Sequence, residues 1–299
     1  MPNSRGPTLV SEQVSQFYFE GARLEFTEYG AGDRLVVLLH GQLMPRRMHD
    51  PLARRLAGHG YRVITLDLLG HGRSDRPSDP KRYSMVGFAR QVVALLDHLG
   101  VGQAVVGGTS LGANVTLEVA DAHADRLLGM ILEMPVLDNA VEAGILAFAP
   151  LLFIGRVTPW AVTAVRAVTR RVPRGLVPFW WGIALDTFDQ EAGPMAAAVH
   201  GIFFGRIAPP SRIRQQIEVP AIVIGHPHDP IHPAADAAML GGELPNARFV
   251  AAESIVEWRS RPDRITGEVL DFLGRVAPIG RGQRRSSPPA KPAAPRRRA

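Results

Sequence analysis

A serine with a glycine two residues to either side, Gly108-Thr109-Ser110-Leu111-Gly112, follows the strand-like run Gln103-Ala104-Val105-Val106 and opens an apolar helical pattern from Leu111 to Ala122. No other feature of the 299-residue chain restricts its fold so tightly. A strand that becomes a helix within so few residues forces strained backbone angles on the serine, and only small flanking residues avoid collision. The turn holds the hydroxyl above a sheet at a helix N-terminus. There the backbone N–H of Leu111 can face the negative charge that develops on a reacting carbonyl.

Short β-branched runs alternate with longer helical stretches along the rest of the chain. The strand-like runs are Leu35–Leu39, Arg62–Leu66, Met130–Leu132, Ala221–Ile224 and Ala247–Ala251, preceded by a polar-alternating hairpin with its turn near Glu20–Gly21. This order predicts an α/β, doubly wound and mostly parallel sheet. The alternation stops between about Leu137 and Gln216, where the chain is strongly apolar and helical in pattern. The expected division is an N-terminal extension over 1–16, a core over 17–136 and 217–274, a helical cap insertion over 137–216, and a disordered basic tail over 275–299.

Charge excludes one class of partner. The formal net charge is +6, but residues 275–299 hold eight basic residues and no acid, which leaves 26 basic against 28 acidic elsewhere. The body is therefore not a nucleic-acid surface by charge. No cysteine is present, so thiol nucleophiles and thiolate metal sites are ruled out. The longest apolar stretch, Ala143 to Gly155, is too short to span a bilayer. No secretory pattern opens the chain, and a cytoplasmic, soluble protein without a cofactor is expected.

The turn around Ser110, together with Leu38-Leu39-His40-Gly41-Gln42 and the segment Gly60–Pro77 (GYRVITLDLLGHGRSDRP), resembles the α/β-hydrolase superfamily over about Phe17 to Leu273. The resemblance implies that Ser110 is a nucleophile and that the N–H groups of Gln42 and Leu111 form an oxyanion hole. It implies that His40, Asp67 and His71 brace loops, and it places a cap where the helical insertion lies. His40 and Gly41 would border the substrate pocket. The cap carries nine Phe and Trp residues and no Tyr. Most should build its own core, with a few, Trp160 and Trp181 among them, facing an apolar ligand. Two branches do not fit: epoxide hydrolases and haloalkane dehalogenases use an aspartate where this chain has Ser110, and epoxide hydrolases also need cap tyrosines.

The resemblance further implies that Asp229, in the segment Val223–Pro233 (VIGHPHDPIHP), is the triad acid, with Asp138 as the fallback. It also implies a Gly-His pair after the last strand. Counting back from Pro262 puts Ser254 and Ile255 there instead, and no histidine follows His232. A serine without a base is a weak nucleophile. His226, His228 and His232 all lie in the Asp229 loop and are candidates to replace it. His232 is the best placed, three residues beyond the acid, and Asp229 or Asp138 could orient it. Alternatively these histidines only cap a proline-braced loop, and their spacing suits no common metal site. Two readings follow: a serine esterase-like or lipase-like hydrolase acting on a small-to-medium apolar acyl substrate through Ser110, Asp229 and His232, or a non-catalytic member that binds an apolar ligand or partner.

Overall fold

The computed structural model describes residues 10–279, so the first nine residues and nearly all of the basic tail lie outside the described residues. Eight strands form one sheet: β1 (Glu12–Phe19), β2 (Ala22–Tyr29), β3 (Leu35–Leu39), β4 (Arg62–Leu66), β5 (Ala104–Thr109), β6 (Leu127–Glu133), β7 (Ala221–Gly225) and β8 (Ala247–Ala251). Their spatial order is β1-β2-β4-β3-β5-β6-β7-β8. β1 pairs antiparallel with β2 and β2 with β4, and the remaining pairs are parallel. β1 begins at Glu12, so the expected boundary at residue 17 falls too late. Residues 12–16 are mostly polar and exposed on an edge strand, where burial imposes little pattern.

Helices α1 (Asp50–Gly58), α2 (Met85–His98) and α3 (Leu111–His123) connect the first strands. Alternate residues of each central strand point to opposite faces. Val37, Leu39, Ile64, Leu66 and Val106 pack towards α2 and α3, while Val36, Leu38, Val63 and Val105 pack towards α1. Strands buried on both faces read as continuous apolar runs, which is why β3 and β7 stand out in the sequence.

The insertion is helical throughout: α4 (Val141–Val157), α5 (Pro159–Thr169), α6 (Phe179–Phe188), α7 (Ala192–Phe203) and a single turn, α8 (Ser211–Arg214). Gly155 lets α4 approach α7, since a Cβ there would lie 3.0 Å from Met195 Cε. The chain returns to the core through α9 (Ala234–Glu243), the short α10 (Glu257–Ser260) and α11 (Asp263–Val276). The buried Asp236 of α9 accepts the N–H groups of Leu137, Asn139 and Ala140, which fixes the start of the insertion. Among the described residues no single helix is long and apolar enough to cross a membrane.

The turn at Ser110 rests on two supports. Cβ atoms at Gly108 and Gly112 would fall 2.3 and 2.2 Å from the carbonyl oxygen of Leu39, so β3 leaves no room for a side chain at either position. Beneath the turn lies Glu133, fully buried at the end of β6. Its carboxylate accepts bonds from the Thr109 hydroxyl and the Arg259 guanidinium, and it meets His226 Nε2 at 3.0 Å. Burial alone would raise the Glu133 carboxyl, but Arg259 and His226 outweigh it and hold the group well below the usual carboxylate range. Removing one member of a buried ion pair costs roughly 3–5 kcal/mol. Arg259→Met is therefore expected to lower the stability at pH 7 by about 3 kcal/mol in urea unfolding, the arginine being partly exposed. Because the wild-type carboxyl is depressed, its contribution exists above the unfolded carboxylate range and fades as pH falls through the folded value. The gap between variant and wild type should thus narrow below about pH 4.

Candidate active site

Ser110 sits between β5 and α3 with φ 56° and ψ −111°, backbone angles that side-chain-bearing residues rarely adopt. Its N–H donates to the carbonyl of Glu133 at 2.9 Å, and its carbonyl accepts from Asn114 N–H at 3.1 Å. The serine is therefore clamped from β6 on one side and by the first turn of α3 on the other. Asn114 contributes twice. Its side-chain amide donates to the carbonyls of Val136 and Ile207 and accepts the N–H of Val136, tying both ends of the insertion to the helix that carries the serine.

His232 Nε2 lies 2.8 Å from Ser110 Oγ. The other ring nitrogen, Nδ1, lies 2.9 Å from Asp229 Oδ2. A carboxylate can only accept, so Nδ1 carries the proton and Nε2 is left to accept from the serine hydroxyl. Asp229 is also the cap of its own turn: Oδ1 accepts the N–H groups of Ile231 and His232 at 2.8 and 2.9 Å. Burial tends to raise this carboxyl, yet its bonds to the His232 ring and the two backbone N–H groups lower it below the ordinary aspartate value. Thus one short loop between β7 and α9 places a carboxylate and an imidazole in series with the serine.

The other histidines of this loop face elsewhere. His226 is buried against Glu133, with Nδ1 3.0 Å from the carbonyl oxygen of Ser254, and the carboxylate raises its pKa against the opposing effect of burial. His228 is exposed at φ 59°. Asp138 points outward and pairs with Arg214 rather than with any histidine. Ile255, at the position where the resemblance called for histidine, is 38% exposed on the loop after β8. Glu257 and Trp258 of that region are buried, Arg259 is partly so, and the Arg259 guanidinium lies 5.7 Å over the Trp258 ring.

The backbone N–H groups of Gln42 and Leu111 meet no acceptor among the described residues. Leu111 is the first residue of α3, where helix N–H groups lack internal partners. Gln42 precedes Leu43, which has φ 61° and whose carbonyl accepts from Gln190 of the cap at 3.0 Å. Both residues line a small cavity of about 50 Å³ that also contacts Ser110, His232, Phe148 and Phe203. The side-chain oxygen and nitrogen of Gln42 are buried there with no hydrogen-bond partner among the described residues.

Four expected pocket residues lie elsewhere. His40 is fully buried beneath the pocket, with Nδ1 donating to the Gly41 carbonyl and Nε2 accepting Leu68 N–H, so it braces the loop. Gly41 packs against Met44 instead of the cavity. Trp160 and Trp181 are 72% and 68% exposed on the outer surface of the cap. Aromatic content marked the cap as apolar but carried no information about which side of each helix would face inward. Conversely, Glu133, Arg259 and Asn114 were missed. Asn114 alone left a local trace, as an amide inside an otherwise apolar helical run. A wider cleft of about 800 Å³ is lined by paired charges such as Arg46, Arg174, Asp186 and Asp189 and does not include Ser110 or His232.

Comparison with known proteins agrees with this fold. The chain is 27% identical over 275 residues to a non-heme chloroperoxidase of Streptomyces lividans, covering 85% of this chain and 97% of that one. It is 39% identical over 99 residues to epoxide hydrolase B of Mycobacterium tuberculosis, only 32% of this chain and 27% of the other. Among solved structures it resembles a Pseudomonas aeruginosa hydrolase, with TM-score 0.72, 22% identity, and coverage of 87% of this chain and 98% of that one. The enol-lactonase of Burkholderia xenovorans LB400 superposes with TM-score 0.70 and 24% identity, covering 87% and 99%. The family model of the alpha/beta hydrolase fold matches residues 34–254, and the chain belongs to that family.

Proposed function

We propose that this protein is a serine hydrolase that cleaves a small-to-medium apolar carboxylic ester or lactone. The observation that carries the reading is the unbroken relay from Ser110 Oγ through His232 to Asp229, at 2.8 and 2.9 Å. In the first half-reaction the Ser110 hydroxyl attacks the substrate carbonyl while its proton passes to His232 Nε2. Asp229 stabilises the resulting imidazolium, and the N–H groups of Gln42 and Leu111 hold the oxyanion. Collapse expels the alcohol, which takes the proton from His232 and leaves an acyl-serine. A water deprotonated by His232 then attacks the acyl-serine, releasing the acid and restoring the hydroxyl. The cavity wall supplied by Met85, Phe148, Ile202 and Phe203 favours an apolar acyl group. The non-catalytic reading rested on the missing histidine after β8, and His232 within reach of Ser110 removes that motive. A cytoplasmic location remains part of the proposal.

Labelling with a fluorophosphonate probe tests the relay. Wild type should label, while Ser110→Ala and His232→Ala should not, and each should lower kcat/KM on a p-nitrophenyl alkanoate by at least ~10³. The double variant should lose no more than either single one, because the residues act as a unit. Labelling of His232→Ala at the wild-type rate would sink the assignment of the base.

Gln42 yields a second expectation. A buried amide without partners costs about 1–3 kcal/mol until something bonds to it. Gln42→Leu should therefore raise KM about tenfold for esters with a polar group on the acyl chain, while leaving plain alkanoates unchanged.

A further inference from the structure

Among the described residues, eleven of the eighteen exposed large hydrophobic side chains belong to the cap. On α4, Leu146, Phe153 and Val157 recur at helical spacing and are 78%, 63% and 58% exposed. After a bend of 103°, α5 continues with exposed Trp160, Val165 and Val168. The opposite side of α4 is also apolar, because Gly144 and Phe148 roof the Ser110 cavity and Phe148 packs on Phe203 of α7. A helix apolar on two opposite sides but covered on only one leaves an apolar face without a partner.

Charge identifies the partner. From Ala143 to Leu185 the chain has five arginines and no acid. Arg166, Arg170 and Arg174 pair with Asp186, Asp189 and Glu191. Arg156 and Arg171 are exposed and form no ion pair among the described residues. Apolar and tryptophan side chains bordered by unpaired arginines match a lipid interface that carries negative headgroups. A second copy of this chain fits less well, since a two-fold contact through the face would set arginines against arginines with no acid between them. The 103° bend and the packing of α4 on α7 favour lying in the plane of a surface over crossing it.

We propose that the outer face of α4 and α5 docks in the plane of an anionic lipid surface. The apolar stripe enters the acyl boundary, and Arg156 and Arg171 lie among the headgroups. Docking by itself does not depend on hydrolysis. Where both hold, an apolar acyl substrate dissolved in the bilayer meets the roof of the Ser110 cavity directly.

The absence of native cysteine makes the test site-specific. Val157→Cys in the full chain, carrying an environment-sensitive fluorophore, is titrated with vesicles of phosphatidylcholine alone or mixed with phosphatidylglycerol. The expected result is a saturable blue shift on the anionic vesicles and little on the neutral ones. Arg156→Gln with Arg171→Gln should weaken partitioning about 25-fold, roughly fivefold for each charge. Phe153→Ser with Trp160→Ser should abolish the shift, with melting temperature unchanged because both side chains are already exposed. Ser110→Ala should bind like wild type, so a failed hydrolase reading would leave this result standing. No shift on either vesicle, or an undiminished shift in the Phe153/Trp160 variant, would overturn the proposal. So would a doubling of mass in light scattering that the same variant reverses without altering vesicle binding, which would assign the face to a second copy.

Discussion

The carbonyl oxygen of Leu39 occupies the space that a side chain at residue 108 or 112 would need. That one contact explains why the strand-to-helix turn is framed by glycines, and it also sets the position of the serine. With β3 pressed against the turn and Glu133 bonded beneath it, Ser110 has no freedom to relax from its left-handed angles. A strain of ~1–3 kcal/mol at a single residue is sustained by the buried sheet around it. The hydroxyl is consequently a fixed point, and the other groups are arranged about it.

Much of the architecture was legible in the sequence because its central strands are buried on both faces. Runs such as Leu35–Leu39 and Ala221–Ile224 announce themselves without alternation. The edge was harder: Glu12–Gln16 pairs fully with β2 while its side chains remain in water, so its composition carries no strand signal. Ser110 and Asp229 were readable because each sits in a short segment whose chemistry is local. His232 could be nominated for the same reason, being three residues from the acid. Arg259 and Glu133 are 126 residues apart, and nothing near either one indicates the other.

The cap shows a different limit. Its composition declared it apolar, but helices of this kind are apolar on more than one side, as α4 is. Which aromatic faces the cavity depends on the seating of α4 on α7, which in turn depends on Gly155 and on the anchoring of residues 137–140 by Asp236. These are tertiary facts. The Gln190–Leu43 bond has the same character, joining the cap to the loop that presents Gln42.

Asp229 and His232 share a single turn of chain, stitched by two bonds from the acid to the backbone of the residues it serves. In most arrangements of this kind an acid and a base are brought together by the fold from separate loops, and their alignment is only as good as the packing between those loops. Here alignment is a local property of four residues. The Asp229–His232 pair is a self-contained unit: its bonds all run within those four residues, and only its aim at Ser110 depends on the rest of the molecule.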